Sequence, residues 1–362
     1  MNPYDFVRVV WNAPGERRPA VAGDRWSGIS GRLEGTITTL TPLFIYDKLA
    51  LGTPRGFLRD REGRSVIPGS SLKGLFRSLV ETVSGGAWWF FGHDGIWRED
   101  NVTGRIVDYS HALPAAFQRP TDLAHLDAAC RMFGFLDRRI ALAGSVGFDD
   151  AVCERPESHA AFYTCILSNP KPRHRVWYLD SSGSLVAGRK YYFHSSKLAT
   201  ARGWLPRADV LPVQRQNYYI KPVGPGSVFT FCATFTSVAP DDLALLLYAI
   251  TLEPEVHHKL GYAKPAGLGS VAVELNWVET VDYLERYRNG GGGLTRYERA
   301  GVHGDTLTPY LAAQTAPFTS NTTSPTLQDL RRIWRWPATN VQTYPSQTWF
   351  HNNAHAPINH TP

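Results

Sequence analysis

The chain has 362 residues, 43% of them hydrophobic, with 38 Lys and Arg against 32 Asp and Glu for a net charge of +6. That length and apolar content support a sizeable core, in one large domain or two smaller ones, and exclude a chain disordered throughout. No apolar run approaches the roughly 18 residues of a membrane span, and the opening "MNPYDFVRVVWNAPGERRPA" has no apolar signal core, so a cytoplasmic protein is expected.

Residues 1–28, with "NAPGERRPAVAGD", read as an irregular N-terminal segment. From Gly31, "RLEGTITTLTPLFI" is rich in Thr, Ile and Leu and partly alternates, which predicts a strand. A polar loop carrying Asp47 follows, then a short strand, "SVI". Pro68-Gly69-Ser70 breaks that strand and opens a helix, with a serine expected as its N-cap. Leu72, Leu75, Phe76, Leu79 and Val83 recur with helical spacing and predict one buried stripe; Ser84-Gly85-Gly86 ends it.

Residues 87–128 and 153–221 read as insertions. Between and within them, "HLDAACRMFGF" suggests a short helix, and "GSVGFDDAVC", "AFYTCIL" and "RKYYFHSS" suggest strands. "SVFTFCATFTSV" is the clearest strand, and "PDDLALLLYAITLEP" a helix with proline and acids in its first turn, where the macrodipole favours them. "GLGSVAVELNWV" closes the pattern as a strand. With the insertions removed, this order suits a ferredoxin-like βαββαβ sheet, the fold of RNA-recognition modules. The expected class is therefore α+β, with an RNA-recognition-motif-like core over residues 29–288. Residues 289–362 read as a flexible "NGGGG" linker and an extended C-terminal segment, in which "TLQDLRRIWRW" suggests one short helix.

Charge is concentrated. From Asn169 to Lys221 ten Lys or Arg face two Asp, a local charge of +8, and eight Trp, Tyr or Phe residues from Trp177 to Tyr219 interleave with them. Cations supply partners for phosphates and flat rings supply partners for unstacked bases, the combination that single-stranded nucleic acid requires. Within "SVIPGSSLKGLFRSLV", Gly69, Ser70 and Ser71 precede Lys73 and Arg77, two cations one turn apart at a helix N-terminus, where free amides and the dipole attract phosphate. The alternative is an ordinary amphipathic helix with cations at its flank. In "HHKLGYAKPAGLGSV", Gly261, Gly267 and Gly269 punctuate a loop charged by Lys259 and Lys264; it reads either as a place where another backbone approaches or as a tight packing turn.

No P-loop and no H-E-x-x-H motif occurs, which argues against nucleotide hydrolysis and histidine-based metal catalysis. The four cysteines form no C-x-x-C pair and read as packing residues. Asp47 is either a solvated loop carboxylate or a group able to bind a divalent ion such as Mg2+ or act on a 2′-hydroxyl. His194, beside Lys190, Tyr191 and Tyr192, is the one local cluster suited to a general base.

Four blocks in order resemble the RAMP superfamily of CRISPR-associated proteins. "IPGSSLKGLFRSLVE" (67–81) is similar to its most recognisable segment, and "ACRMFGF" (129–135) with "GSVGFDDA" (144–151) to its second block. "HKLGYAKPAGLGSV" (258–271) resembles its glycine-rich loop, and "GRKYYFH" (188–194) a segment of type III-associated members. The resemblance implies a structural subunit of a type III antiviral ribonucleoprotein complex. Its partners would be a guide RNA (crRNA), target RNA and neighbouring subunits. Gly69, Ser70, Ser71, Lys73, Arg77, Arg189, Lys190, Tyr191, His258, Lys259, Lys264, Gly267 and Gly269 would contact RNA. It also implies an alternative, target-RNA cleavage by Asp47 with a divalent ion, although "IYDKLALG" lacks the glycine-rich, multiply acidic form of a cleaving loop. A guide-processing ribonuclease is a further variant. A protein-docking module without RNA is the alternative from outside the family.

Overall fold

The computed structural model describes residues 2–21, 27–47, 52–88, 96–98, 106–108, 112–137, 140–165, 167, 177–198, 217–281, 299–339, 349 and 352–353. In chain order the elements that build the core are β1 (Tyr4–Val7), β2 (Ile29–Thr39), β3 (Ser65–Ile67), α1 (Gly69–Val83), α2 (Ala128–Phe133), β4 (Val146–Phe148) and β5 (Ala151–Cys153). They continue with β6 (Arg189–Tyr192), β7 (Val228–Val238), α3 (Pro240–Thr251), β8 (His258–Lys259), β9 (Ser270–Val281) and β10 (Arg299–His303). Two C-terminal helices, α4 (Leu307–Thr319) and α5 (Pro325–Ile333), follow.

An eight-stranded sheet runs β8-β9-β2-β7-β5-β3, with β10 also paired to β9 and β4 to β7. Its neighbours pair antiparallel, and β2 lies between the two longest partners, with Ile37 opposite both Phe229 and Val273. Strict alternation explains why these segments are strands: Leu33 and Ile37 on β2, and Phe229, Phe231, Ala233 and Phe235 on β7, all point to one face and are buried. Helices α1 and α3 cover that face, α1 through Leu72, Phe76 and Leu79 and α3 through Leu243, Leu246 and Leu247. In α3 the expected first-turn Pro240, Asp241 and Asp242 are present. The carboxylates also reach outward, Asp241 to Arg18 and Asp242 to Arg131.

Three expectations change. The N-terminal segment is not irregular throughout, because β1 pairs antiparallel with β6, Tyr4 opposite Tyr192 and Val7 opposite Arg189. The C-terminal segment is not simply extended either: the unforeseen α4 precedes α5, and α5 is the short helix expected from "TLQDLRRIWRW". Helix α5 begins at Ser324, whose hydroxyl accepts from the Leu327 amide, and its buried Asp329 takes both Nε and Nη2 of Arg8. Arg331 forks onto Glu253 at the end of α3. The "GSVGFDDAVC" segment is two short strands, β4 and β5, rather than one. The "NGGGG" run lies outside the described residues.

Three of the four cysteines, Cys130, Cys153 and Cys165, are buried and unbridged, and burial pushes the Cys165 thiol up to about 12. No helix among the described residues is long and apolar enough to cross a membrane.

Candidate nucleic-acid interface

A cavity of about 500 Å³ opens where three sequence blocks converge. Ser71, Gly74, Leu75 and Ser78 of α1 form one wall, and Lys190, Tyr191 and Tyr192 of β6 form another. The loop from Lys259 to Lys264 forms the third, with Tyr46 at the exit of β2 and Trp334 after α5 completing the lining. The volume falls within the range of small-ligand sites, roughly 300–1,000 Å³. Two chain segments remote in sequence finish the site: β1 places Tyr4 beneath Lys190, and the C-terminal segment supplies Trp334.

Among the described residues that line it, the pocket carries cations and no carboxylate. The Lys190 ammonium sits 3.6 Å from the centroid of Tyr4 and 5.1 Å from that of Tyr192, and burial lowers its pKa to about 8. Lys264 donates to the Gly261 carbonyl at 2.9 Å, and burial lowers its pKa. Lys259 is 3% exposed, donates to the Leu268 carbonyl, and is lowered to about 7 by burial, with a smaller contribution from Lys264. Removing an ammonium from water disfavours its charged form, and an incoming anion restores it. Trp334 adds a buried indole N–H without a hydrogen-bond partner among the described residues. An orphaned buried donor is costly, so the lining as a whole suits a ligand rich in acceptors and flat surface.

The helix N-terminus does not work as expected. The cap residue is Pro68, and no side chain of α1 caps its own amides. Instead Asp150, just after β4, accepts from the Gly69 N–H at 2.7 Å, while the Ser71 and Leu72 amides bond back to the Pro68 carbonyl. The positive end of the dipole therefore already faces a carboxylate. Gly69 is required for packing, since a Cβ there would collide with the Phe148 carbonyl oxygen. Ser70 remains exposed.

Nor do Lys73 and Arg77 join the pocket. With 3.6 residues per turn, Ser71, Gly74, Leu75 and Ser78 form one stripe of α1 and Lys73 and Arg77 another, with Leu72, Phe76 and Leu79 buried between them. Arg77 donates to Glu81 at 2.8 Å and to the Gly134 carbonyl at 2.8 Å. The same Glu81, 8% exposed, also receives Arg189 at 3.1 Å, and Arg189 further bonds the Gly86 and Ala87 carbonyls. Arg77 and Arg189 thus clamp one carboxylate and tie α1 to β6. Lys73 is half-buried on that far flank, its pKa lowered by burial and by Arg77.

Other expected RNA contacts turn inward. Tyr191 is buried, its hydroxyl 2.6 Å from Thr82 Oγ1 and its ring edge-on to Trp334 at 4.9 Å. His258 is 1% exposed, donates from Nε2 to the Ala249 carbonyl at 2.9 Å, and is pushed down to about 4 by burial. Gly267 and Gly269 both have positive φ, 91° and 75°. A Cβ at Gly267 would meet the Lys197 carbonyl oxygen, and one at Gly269 that of Leu260. The glycines admit protein backbone, so the loop is a tight packing turn that presents Lys264. His194 is buried with both ring nitrogens engaged, Nδ1 with Ser270 Oγ and Nε2 with the His257 carbonyl, which leaves no nitrogen to act as a base.

Asp47 follows Tyr46 at the pocket mouth, half-buried, and residues 48–51 beyond it lie outside the described residues. Among the described residues no three His, Cys, Asp or Glu side chains gather as a metal-binding cluster. Of the basic 169–221 stretch, Lys171, Arg173, Arg175, Arg202, Arg207 and Arg215 also lie outside the described residues.

The open face of the sheet is chemically different. Arg32, Glu34, Thr36 and Thr38 on β2 lie beside Val228, Thr230, Cys232 and Thr234 on β7 and beside Ala272, Glu274 and Glu279 on β9. Arg32 is already paired with Glu279 and lies over Trp277 at 5.6 Å. Sequence reasoning had no means of seeing that Tyr4, Tyr46, Tyr262 and Trp334 meet Lys190 and Lys264; only "KYY" and the glycine loop carried a signal.

No curated protein is similar enough to the chain to count as a match. The RAMP superfamily profile matches residues 36–272, a span that contains α1, both walls contributed by "KYY" and the glycine loop, and most of the central sheet. With that match over more than half its length, the chain belongs to the RAMP superfamily.

Proposed function

We propose that this protein is a CRISPR-associated RNA-binding subunit that holds the guide RNA backbone within a type III ribonucleoprotein complex. The observation that carries the reading is the convergence of α1, the "KYY" strand and the glycine-rich loop on one tyrosine-walled pocket with no carboxylate among its described lining residues. Lys190 and Lys264 supply charge to phosphates, Ser71 and Ser78 supply hydroxyls, and Tyr46, Tyr192 and Tyr262 supply faces for unstacked bases. The core is read as RNA-recognition-like because β2, α1, β4/β5, β7, α3 and β9 follow a strand–helix–strand–strand–helix–strand order, with β9-β2-β7-β5 side by side. Its binding surface, however, is assigned to the pocket and not to the sheet's open face.

Fluorescence anisotropy with a labelled single-stranded RNA, repeated across salt concentrations, tests the reading. Several phosphate contacts release counterions, so the affinity should fall steeply with salt. An affinity that is flat with salt, or absent, contradicts it and returns the tyrosines to a protein-docking role.

A further inference from the structure

Beside the pocket stands an arginine whose surroundings are unusual. Arg55 lies over two rings, its Cζ 3.6 Å from the centroid of Tyr218 and 4.7 Å from that of Tyr46. Its backbone is pinned on both sides, the amide donating to the Tyr219 carbonyl and the carbonyl accepting from Lys221, each at 2.9 Å. Yet the guanidinium makes no ion pair and no side-chain hydrogen bond among the described residues, unlike Arg77, Arg131, Arg189 and Arg331, each of which holds a carboxylate. Two aromatic rings hold the guanidinium and, among the described residues, its N–H groups are unspent. A planar fork held this way has lost most of its rotamer freedom in advance, and its edge matches two oxygens of one phosphate. Tyr46 lines the pocket, and Tyr218 lies 6.0 Å from Tyr262, which also lines it.

We propose that Arg55, clamped by Tyr46 and Tyr218, is a preformed two-pronged receptor for one phosphodiester of the RNA strand as it leaves the pocket. The inference rests on the RNA-binding reading above and adds to it a contact outside the pocket, made by a residue that no sequence motif marked. If the ring pair served only to pack the loop, Arg55 would matter to stability and not to RNA.

The test compares the full-length wild-type protein with Arg55→Ala, Arg55→Lys and Tyr46→Ala, binding a labelled oligouridylate over a salt series, with a thermal melt of each. Arg55→Ala should weaken binding about tenfold, as expected for loss of a charge-assisted hydrogen-bonded contact. It should also reduce the slope of log affinity against log salt by about 0.7, the share of one phosphate on a single strand. Arg55→Lys should keep the slope without recovering the affinity, since an ammonium cannot fork. Tyr46→Ala should weaken binding a few-fold through either its pocket face or the clamp, so the clamp itself is judged on the Arg55 variants. Wild-type affinity and salt slope in Arg55→Ala, or full wild-type affinity in Arg55→Lys should Arg55→Ala fail to fold, overturn the proposal while leaving the pocket reading standing, provided Lys264→Glu still weakens binding. No binding by the wild-type protein overturns both.

Discussion

The two faces of the central sheet's surroundings divide the molecule's chemistry. On β2, β7 and β9 the open face is Thr-rich and carries Glu34, Glu274 and Glu279 beside Arg32, with its aromatic Trp277 already under that arginine. The pocket beside α1 has lysines, tyrosines and a buried indole donor, and no carboxylate among the described residues that line it. In an RNA-recognition module the open sheet face stacks bases. Here the described residues of that face on β2 and β9 include more carboxylates than cations, and lysines line the seam between α1, β6 and the glycine loop. The contrast teaches that a strand order does not locate a binding surface; the side chains do.

The largest way to break the comparison is to dismantle the wall of the pocket. Glu81→Ala leaves Arg77 and Arg189 facing each other in a nearly dry site, and breaking a buried pair of this kind costs about 3 kcal/mol. Chemical denaturation should show a loss of that size, whereas Glu274→Ala on the open face should change stability by less than about 0.5 kcal/mol. Next comes charge reversal in the pocket. Lys264→Glu should weaken RNA binding by well over tenfold in anisotropy, because it replaces attraction by repulsion at a partly desolvated site.

A smaller effect sharpens the role of Lys190. Its ammonium titrates near 8 because burial disfavours the charge, so it is a cation below that pH and neutral above it. RNA affinity should therefore fall a few-fold as the pH rises through about 8, and Lys190→Arg, which stays charged, should flatten the profile. Stability has the opposite slope. The unfolded lysine keeps its proton up to about 10.5 while the folded one releases it near 8, so this residue's penalty is relieved as pH rises between those values. The smallest expected change is informative for being small: Glu274→Lys on the open face should leave RNA affinity within about two-fold of wild type, and a large gain there would argue that the sheet face does bind RNA.

Much of the fold was legible because alternation and helical spacing survive in β2, β7, β9, α1 and α3, where one face is buried. The failures have physical causes. β1 is four residues long and is a strand only because β6 pairs with it. α4 buries just Leu307 and Thr315, so it has no apolar stripe to read, and it is held partly by Phe318 stacked on Tyr248 at 4.9 Å. Lys73 and Arg77 do share one face, and that face lies on the flank of the helix away from the pocket. Glu81, four residues after Arg77, was available as its partner in the sequence; Arg189 was not. The helix N-terminus looked like an anion site because its competitor, Asp150, lies 81 residues away. Lys190 and Lys264 were singled out from "RKYY" and the glycine loop, yet that they share a cavity with Trp334 is a property of the assembled chain.

The most direct test of where RNA lies is ultraviolet cross-linking of the bound strand followed by mass spectrometry of the attached peptides. Cross-links at Tyr46, Tyr192 or Tyr262 are the result this account predicts. Cross-links confined to Trp277 and its neighbours on β2, β7 and β9, with none at the pocket tyrosines, would contradict it.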